Sequence, residues 1–347
     1  IRGASIQAFS RSGIDVTGNE IYIPLGQKFK ACLFGEYHTK HGMSLFNTAF
    51  LAMLLVWGVE GTSGNKSWLH FPFLPFNIQP AEVCKITYII ILAKTMSLNR
   101  NRISSLRSVG TLTFHMLWIV ALIVVISHDT GVALIFMFLF VVMAYVGGVS
   151  GWWFLGGAGA VAAVSPYLWK YFIRDDQKQR ILALIDPSID PDGLGVLWQT
   201  NKSLEALRNG GLTGQGLFHG DLTSIGYLPA QHTDSIFSSI GEQLGMLGCL
   251  AALFLLLAIV LRCIQVGMKS PDYMNRLICI GIASMLLFQI LINVGVCLGL
   301  FPVVGLALPF LSYGGSSILT SFLAMGIVSG IKMRPAPDMS AHYIRPY

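Results

Sequence analysis

Long apolar runs separated by shorter polar stretches occupy most of the chain after residue 42. A helix needs about 20 predominantly apolar residues to cross a bilayer. Eight segments approach that length and are predicted to be membrane helices: 43–59, 79–97, 111–127, 130–149, 151–170, 239–262, 276–299 and 314–331. The pattern therefore predicts an all-α polytopic membrane protein with about eight transmembrane helices.

The composition narrows the class of protein further. Of the 347 residues, 54% are hydrophobic and 12% are charged, and the mean hydropathy is +0.64. These values are too apolar for an ordinary soluble domain. The net charge of +6 comes mainly from Lys and Arg beside apolar runs, where such residues orient a membrane protein. We therefore expect contacts with membrane lipids and no nucleic acid partner.

The cysteine and glycine patterns give no sign of a cofactor. The six cysteines have neither the spacing of a disulfide framework nor that of a zinc site. The glycines between 193 and 216 lack dinucleotide-binding spacing, and no P-loop Gly-Lys-Ser/Thr follows them. Tight turns account for these glycines, and no organic cofactor is expected.

The charges of the loops predict the orientation and the division of the chain. Basic residues follow the second, sixth and eighth predicted helices, at Arg100, Arg102, Arg107, Arg262, Lys269, Arg276, Lys332 and Arg334. With eight helices these regions share the cytoplasmic side with the N-terminus. The prediction is a polar N-terminal segment (1–42), a transmembrane domain (43–331) and a cytoplasmic tail (332–347). Residues 171–238 then form one long extracytoplasmic loop, whose length favours a functional role.

An ionisable pair stands out inside the predicted helices. Glu82 and Lys85 lie three residues apart on one face of the 79–97 helix. Ionisable side chains within a membrane are costly, so such a pair indicates a functional site. The alternative is that the two side chains only neutralise each other near the helix end.

A second candidate is Asp234, where the long loop meets an apolar helix. Pro229 prevents a helix through its own position, and Ser239 with Glu242 has capping-box spacing. Asp234 is therefore predicted to lie at a membrane surface. Either Asp234 or Thr233 caps the helix, or Asp234 is a reactive group.

Two prolines interrupt the apolar run near the C-terminus, at Phe301-Pro302 and within Leu308-Pro-Phe-Leu-Ser-Tyr-Gly-Gly-Ser-Ser317. Non-helical backbone at membrane depth survives only where protein or a water-filled cavity satisfies it. The breaks therefore indicate a cavity open to the outer face. Transporters have such breaks as well, so the breaks alone do not separate transport from catalysis.

Taken together, these residues resemble the SEDS family (shape, elongation, division and sporulation) of the RodA, FtsW and SpoVE type. The resemblance runs from about Gly64 to Ile331. The matching motifs are Leu308–Ser317; Leu228-Pro-x-x-His-Thr-Asp-x-Ile-Phe237 with Glu242 and Gly245; Gln79-Pro-Ala-Glu82 with Lys85; Gln199, Ser203, Ala206 and the glycines 210 to 216; and Ile292-Asn-Val-Gly295 with Gly299, Pro302 and Gly305.

The resemblance implies a peptidoglycan glycosyltransferase that polymerises lipid II on the outer face of the bacterial cytoplasmic membrane. It also implies a class B penicillin-binding protein as partner. The family's essential aspartate corresponds to Asp234, and its Glu and Lys in a membrane helix correspond to Glu82 and Lys85. Family members usually have ten helices, so the resemblance implies that the two preceding 43–59 are missing from this sequence, which is either a fragment or a divergent member.

Two departures from the family pattern concern residues of the expected site. Where the family has Arg-Trp in an outer loop, this chain reads Lys66-Ser67-Trp68. The resemblance therefore implies that Lys66 replaces the family's arginine in facing the substrate phosphate. The family pattern Asp-x-Gly-Thr reads Asp129-Thr-Gly-Val132. By resemblance, the substrate-binding residues include Trp68, Asp129, Gln199, Ser312 and Ser316.

The implied reaction is attack of a sugar hydroxyl on an anomeric carbon that bears a lipid diphosphate. It needs a base for the hydroxyl proton and positive charge for the diphosphate. Asp234 is the expected base, and Lys85 is expected to receive the diphosphate together with Lys66 or a divalent cation, Mg²⁺ or Mn²⁺. Glu82 and Asp129 would orient these groups. His232 either assists through a hydrogen bond or metal contact or is structural, and the sequence singles out no metal ligands.

Two other functions fit parts of the pattern. A flippase for the same lipid-linked precursor would share the cavity and the broken helices, but coupling usually needs ionisable residues near the midplane. Residues 277–331 contain no Asp, Glu, Lys, Arg or His. A scaffold that only activates a transpeptidase would not need Asp234.

The orientation can be tested with single cysteines at Ser12 and Thr223. In intact cells, a membrane-impermeant thiol reagent is expected to label position 223 and not position 12, because the first predicted helix separates them. Labelling at both positions would remove the 43–59 span. Protection at position 223 would place Asp234 on the inner side and overturn its assignment to the site.

Overall fold

The computed structural model describes residues 38–59, 66–70, 77–171 and 173–333, and these are mainly helical. The chain divides into two compact units, Ile1–Leu45 and Phe46–Tyr347. Of the first unit, the described residues are only the beginning of helix α1. The architecture given below is that of the second unit. Most of the predicted polar N-terminal segment and cytoplasmic tail lie outside the described residues.

All eight apolar segments predicted from the sequence are helical. They correspond to α1 (His38–Trp57), α2 (Pro80–Leu98), α3 (Leu106–Leu122), α4 (Thr130–Val146), α5 (Gly151–Tyr171), α9 (Ile236–Lys269), α10 (Tyr273–Cys297) and α11 (Gly315–Met333). The long loop contains α6 (Asp175–Ile185), α7 (Trp198–Gly210) and α8 (Asp221–Ser224), with a 3₁₀ turn at Pro187–Ile189. Strands β1 (Gly58–Val59) and β2 (Trp68–Leu69) pair antiparallel, and a 3₁₀ turn at Arg100–Arg102 follows α2.

Four stretches of the described chain are long and apolar enough to cross a membrane. They are Leu106–Ser127, in which α3 continues as a π-helical turn, Ile236–Lys269, Tyr273–Cys297 and Gly315–Met333. Gly42–Trp57 and Thr130–Val146 are shorter apolar helices. The predicted class, an all-α polytopic membrane protein, is confirmed.

Helix α10 lies at the centre of the bundle. In its most apolar part 89% of the residues are buried, against 22% in the corresponding part of α9, and α10 contacts α2, α4 and α9. Gly281 allows the close approach, since a Cβ there would lie 2.6 Å from Ile89 Cγ2 and 2.9 Å from Met143 Sδ. Small residues at helix contacts have this effect in membranes. The centre of the bundle is therefore the junction of α2, α4 and α10.

Helix α9 begins earlier than its predicted start. Its first residue is Ile236 and its N-cap is Ser235, whose side chain makes no capping hydrogen bond. The alternative that Asp234 or Thr233 caps this helix is therefore wrong. Asp234 lies one residue before the cap, so its carboxylate is not used to start the helix.

The capping box predicted for Ser239 and Glu242 is also wrong. Ser239 Oγ donates to the carbonyl oxygen of Gln231 at 2.9 Å. The Glu242 carboxylate accepts from the backbone N–H groups of Leu222 at 2.8 Å and Thr223 at 2.9 Å. Glu242 thus satisfies the first turn of α8, a neighbour in space that the local spacing did not reveal. Because Thr223 is 9% exposed, the labelling cysteine in this loop belongs at the exposed neighbour, Ser224.

The glycine-rich segment 210–216 bonds directly to the backbone of α9. The N–H of Gln215 donates to Glu242 O at 3.0 Å, and the N–H of Met246 donates to Gly211 O at 2.9 Å. Gly245 breaks α9 with φ 69° and ψ −168°, which opens its backbone to these bonds. Close packing rather than turn formation alone therefore explains part of the glycine run.

Gly210→Ala is expected to loosen this contact. A Cβ at Gly210 would lie 1.8 Å from the carbonyl oxygen of Gly241, so the two backbones must separate, at a cost of about 1–3 kcal/mol. The apparent melting temperature of the purified protein should fall. The control is Gly156→Ala in α5, where nothing lies within 4 Å of the added Cβ. Equal melting temperatures for the two variants would contradict the proposed packing.

Candidate functional site

Asp234 lies in the irregular segment just before α9, and its backbone is held by α10. The side-chain amide of Asn293 donates to Asp234 O at 3.1 Å, and Cys297 Sγ donates to the same oxygen at 3.5 Å. Ala230, at φ 48°, begins the turn, and its carbonyl accepts from the N–H of Ser235 at 3.1 Å. The bonds that hold Asp234 in place therefore go to its backbone carbonyl and not to its carboxylate.

A second irregular segment, 300–314, bonds to the first. Asn293 Nδ2 also donates to Leu306 O at 2.8 Å, so one amide joins both segments. Ser312 Oγ donates to Thr233 O at 2.7 Å and accepts from Leu308 N at 2.8 Å. The N–H of Tyr313 donates to His232 O at 2.7 Å. These bonds satisfy non-helical backbone within the bundle, as burial requires.

The Asp234 carboxylate lies against Gly305 of this second segment. Its Oδ2 atom would be 3.8 Å from a Cβ built on Gly305. The first turn of α4 lies on the other side of this segment. A Cβ built on Gly131 of α4 would lie 2.5 Å from Val304 O, so α4 touches the backbone of the segment directly. The segment 303–305 therefore lies between Asp234 and the N-terminus of α4.

Asp129 is at that N-terminus and caps α4. It accepts from the N–H of Val132 at 3.0 Å and from Ser67 Oγ at 3.5 Å. Burial raises the pKa of the Asp129 carboxyl, while the hydrogen bonds from Val132 and Ser67 lower it. The nearby negative charge of Glu82 also raises this pKa and the positive charge of Lys85 lowers it.

Glu82 and Lys85 form a buried ion pair in α2. Lys85 Nζ lies 2.8 Å from Glu82 Oε1, and the two residues are 0% and 6% exposed, Lys85 being the fully buried one. The charges of both residues act on the pKa of Asp129, which couples the pair electrostatically to the start of α4. The predicted pairing of Glu82 with Lys85 is confirmed.

Burial raises the pKa of the Asp234 carboxyl to about 6, and the negative charge of Asp129 contributes to the increase. Asp234 is nevertheless half-buried and not fully buried, so the residue keeps some contact with solvent. A base whose pKa lies near the working pH is ionised in a large fraction of the molecules and still binds a proton well. Asp234, Asp129, Glu82 and Lys85 thus form one electrostatic cluster, which we call the acidic cluster.

Three other predicted site residues hold the site together. Gln199 Nε2 lies 3.4 Å from Ser235 Oγ, next to Asp234. Ser316 Oγ accepts from Gln79 N at 3.0 Å and donates to Asn77 O at 2.8 Å, which ties α11 to the start of α2. Ser312 joins the two irregular segments, as described above. Direct contact of these three side chains with a substrate stays a prediction.

The remaining predicted residues lie at the edge of the site. Trp68 is half-buried in β2, where it pairs with Val59, and Lys66 is exposed two residues before it. Ser67, between them, contacts Asp129 and so links this strand to the acidic cluster. The substrate contacts predicted for Lys66 and Trp68 are therefore compatible with their positions.

His232 belongs to a cavity beside the acidic cluster. The cavity has a volume of about 410 Å³, and Phe218, Ser224, Gln231 and His232 line it, whereas Asp234 does not. The His232 ring is exposed, and its Nε2 atom lies 3.2 Å from Gln231 Nε2. The structure thus brings together Asp234, Asp129, Glu82 and Lys85 but leaves the His232 side chain in the adjacent cavity.

Two residues near the site were not selected from the sequence as site residues. Asn293 could have been found as an amide in the 277–331 stretch, which lacks charged residues. Arg180 of α6 donates from Nη1 to Val303 O at 3.2 Å, in the segment that separates Asp234 from α4. Nothing in the sequence distinguished Arg180 from the other basic residues of its loop.

The predicted divalent cation has no ligand set in the described part of the chain. There, no three His, Cys, Asp or Glu side chains come together as a group that could hold a metal ion. The Glu82 carboxylate is already bonded to Lys85. The divalent cation, Mg²⁺ or Mn²⁺, stays a prediction, and we assign no step of the chemistry to it.

Comparison with protein families and named relatives gives a consistent result. The profile of the family described as "Cell cycle protein" (FTSW_RODA_SPOVE) matches residues 35–336. The chain is 35% identical over 298 residues to the "Probable peptidoglycan glycosyltransferase FtsW" of Trichlorobacter lovleyi, which covers 84% of this chain and 76% of the relative. It is 32% identical over 272 residues to the "Peptidoglycan glycosyltransferase MrdB" of Escherichia coli K12, covering 78% and 71%.

Solved structures with the same fold were also found. A chain from a study entitled "Structural coordination of polymerization and crosslinking by a peptidoglycan synthase complex" superposes with a TM-score of 0.68 at 28% identity, covering 89% of this chain and 86% of the other. The rod shape determining protein RodA of Thermus thermophilus superposes with a TM-score of 0.61 at 26% identity, covering 89% and 80%.

The buried pair leads to a stability prediction. Lys85→Met leaves the Glu82 carboxylate unpaired beside Asp129, whereas Glu82→Gln leaves Lys85 with Asp129 as a neighbouring opposite charge. Removing one partner of a buried pair costs about 3–5 kcal/mol, so both single variants should have lower melting temperatures, Lys85→Met more so. The double variant should be more stable than Lys85→Met. Strictly additive losses would show that the two side chains are not coupled.

Proposed function

Because the chain belongs to the FtsW, RodA and SpoVE family of cell cycle proteins, we propose that it polymerises lipid II into glycan strands at Asp234. The chain is a peptidoglycan glycosyltransferase and a multi-pass membrane protein. The observation that carries the assignment of the site is the half-buried carboxylate of Asp234, with its pKa raised to about 6. It lies in irregular backbone held by α10 and the segment 300–314.

In the proposed reaction a sugar hydroxyl of one lipid II molecule or growing strand attacks the anomeric carbon of another. Asp234 takes the hydroxyl proton as the new C–O bond forms. The bond from the anomeric carbon to the lipid diphosphate breaks, and the diphosphate leaves with the electron pair. A single displacement inverts the anomeric centre and needs no covalent intermediate on a second carboxylate.

Asp129 would make Asp234 a better base. Its negative charge raises the pKa of Asp234, and the Glu82–Lys85 pair acts on Asp129 in turn. Because Lys85 is fully buried and paired, we assign it to the charge balance of the acidic cluster instead of direct contact with the diphosphate. Lys66 and Trp68 at the edge of the site remain the proposed contacts to the substrate.

Asn293, Ser312, Gln199 and Ser316 are proposed to be positioning residues. Their polar atoms bond to the segments that carry Asp234 or border it. A 1 Å displacement of a catalytic group can reduce a rate by about two orders of magnitude. Their contribution would therefore lie in the geometry of Asp234.

The two alternatives differ from this proposal in what they need from Asp234. The named relatives are glycosyltransferases, which favours an enzyme over a scaffold that only activates a transpeptidase. A flippase would move lipid II without consuming it, so its activity would not require a base of raised pKa. No specific feature of the described residues favours a flippase over the enzyme.

The proposal includes a location of the site on the outer face of the cytoplasmic membrane and a partner protein. The proposal that the segment before α9 lies on the outer side is supported by the Lys and Arg near the ends of α2, α9 and α11, which favour the cytoplasmic side for those ends. One structural relative is part of a peptidoglycan synthase complex that coordinates polymerization and crosslinking. We propose that this chain likewise works with a class B penicillin-binding protein.

Asp234→Asn is expected to reduce lipid II polymerisation by purified protein roughly 100-fold or more, because removing a general base costs about that much. Asp192→Asn, which changes an exposed aspartate of the same long loop, serves as the control and should be fully active. In the wild type, kcat/KM should rise with pH through about 6 and then level off, since only the ionised Asp234 accepts a proton. Normal activity of Asp234→Asn would leave the scaffold and flippase alternatives.

A further inference from the structure

The proposed reaction creates a charge problem at the acidic cluster. The acidic cluster contains three carboxylates, those of Glu82, Asp129 and Asp234, and one amine, that of Lys85, which is bonded to Glu82. When all are ionised, the cluster is negative overall. The lipid diphosphate that leaves the anomeric carbon is also an anion, so it needs positive charge that the cluster does not supply.

Arg180 is a cation held next to the cluster but outside it. It lies on α6 in the long loop, is half-buried, and donates from one guanidinium nitrogen to Val303 O at 3.2 Å. A guanidinium has five N–H donors. Among residues with described positions, Arg180 has no other hydrogen-bond acceptor and no ion-pair partner, so most of its donors are available.

Helix α6 is fixed in place on the same side of the site. Gln177 Nε2 donates to Thr130 Oγ1 at 3.2 Å, next to Asp129. Gln177 and Arg180 are three residues apart and share one helix face. That face is therefore anchored at two points, the start of α4 and the segment 303–305.

The position of Arg180 relative to Asp234 fits a displacement with inversion. Asp234 lies against Gly305, two residues from Val303, so the Cα atoms of these anchor residues are at most about 7 Å apart. In an inverting reaction the base and the leaving group lie on opposite sides of the anomeric carbon. Arg180 is bonded to the segment that borders Asp234 and is not paired with Asp234, so it can bind the leaving group while Asp234 acts as the base.

We propose that Arg180 forms a diphosphate-binding site, in which its guanidinium contacts the phosphate oxygens of the lipid donor. Planar guanidinium groups bind phosphate through paired N–H donors, which a lysine cannot reproduce. The assignment rests on the proposed function for the identity of the donor. It concerns an anion site that is measurable without polymerisation.

The test compares Arg180→Gln and Arg180→Lys with wild type and with the control Arg174→Gln. Arg174 precedes the same helix, but its guanidinium is exposed and paired with Asp176 at 3.1 Å. Farnesyl diphosphate is the probe, and farnesol, which lacks the anion, is the matched ligand. Equilibrium binding of both is measured with purified protein whose melting temperature is also recorded.

We expect Arg180→Gln to weaken farnesyl diphosphate binding roughly 10-fold or more, because it removes charge-assisted hydrogen bonds. Farnesol binding should not change. Arg180→Lys should be intermediate, since a point charge replaces the planar fork, and Arg174→Gln should behave as wild type. In lipid II polymerisation, Arg180→Gln should raise KM by a similar factor.

Several outcomes would overturn the proposal. Unchanged farnesyl diphosphate binding in Arg180→Gln would do so, as would failure of the wild type to distinguish farnesyl diphosphate from farnesol. If Arg180 only supports the segment at Val303, both ligands would weaken together and the melting temperature would fall. Selective loss of diphosphate binding in a protein that does not polymerise lipid II would support the anion site and refute the proposed function instead.

Discussion

The site depends on one constraint, which is that non-helical backbone inside a membrane protein must find its hydrogen bonds within the protein. Two irregular segments, 228–235 and 300–314, meet this constraint by bonding to each other. The amide of Asn293 joins them, since its Nδ2 atom donates to Asp234 O and Leu306 O. Each such bond contributes about 0.5–1.5 kcal/mol, but leaving a buried carbonyl unsatisfied costs more. The geometry of Asp234 is therefore a consequence of how buried backbone is satisfied.

The same constraint explains why several polar side chains near Asp234 contact protein atoms. Ser312 bonds to the backbone on both sides of the junction, and Ser316 bonds to the segment that leads into α2. Among the described residues, no hydrogen bond to the Asp234 carboxylate lowers its pKa. Burial and the charge of Asp129 then raise that pKa. Structural support and chemical reactivity are thus assigned to different atoms of the same short segment.

The sequence predicted the parts of the fold that depend on local pattern. Apolar run length located all eight helices, and the three-residue spacing of Glu82 and Lys85 predicted their pairing. The capping box predicted at the start of α9 was wrong, because Glu242 instead caps α8, which is about 20 residues earlier in sequence and adjacent in space. The break at Gly245 and the role of Arg180 were likewise invisible, since both depend on contacts between segments that no spacing rule connects.

The acidic cluster raises the question of how one site can favour both a strong base and an anionic leaving group. Placing Asp129 near Asp234 raises the basicity of Asp234, but the same negative charge repels a diphosphate. A lysine inside the cluster cannot resolve this, because Lys85 is already neutralised by Glu82 and has no access to the surface. Positive charge has to come from an element outside the bundle core, and a helix of the long loop is anchored at that position. The long loop then has an electrostatic reason to fold back over α4, which its length and polarity alone do not explain.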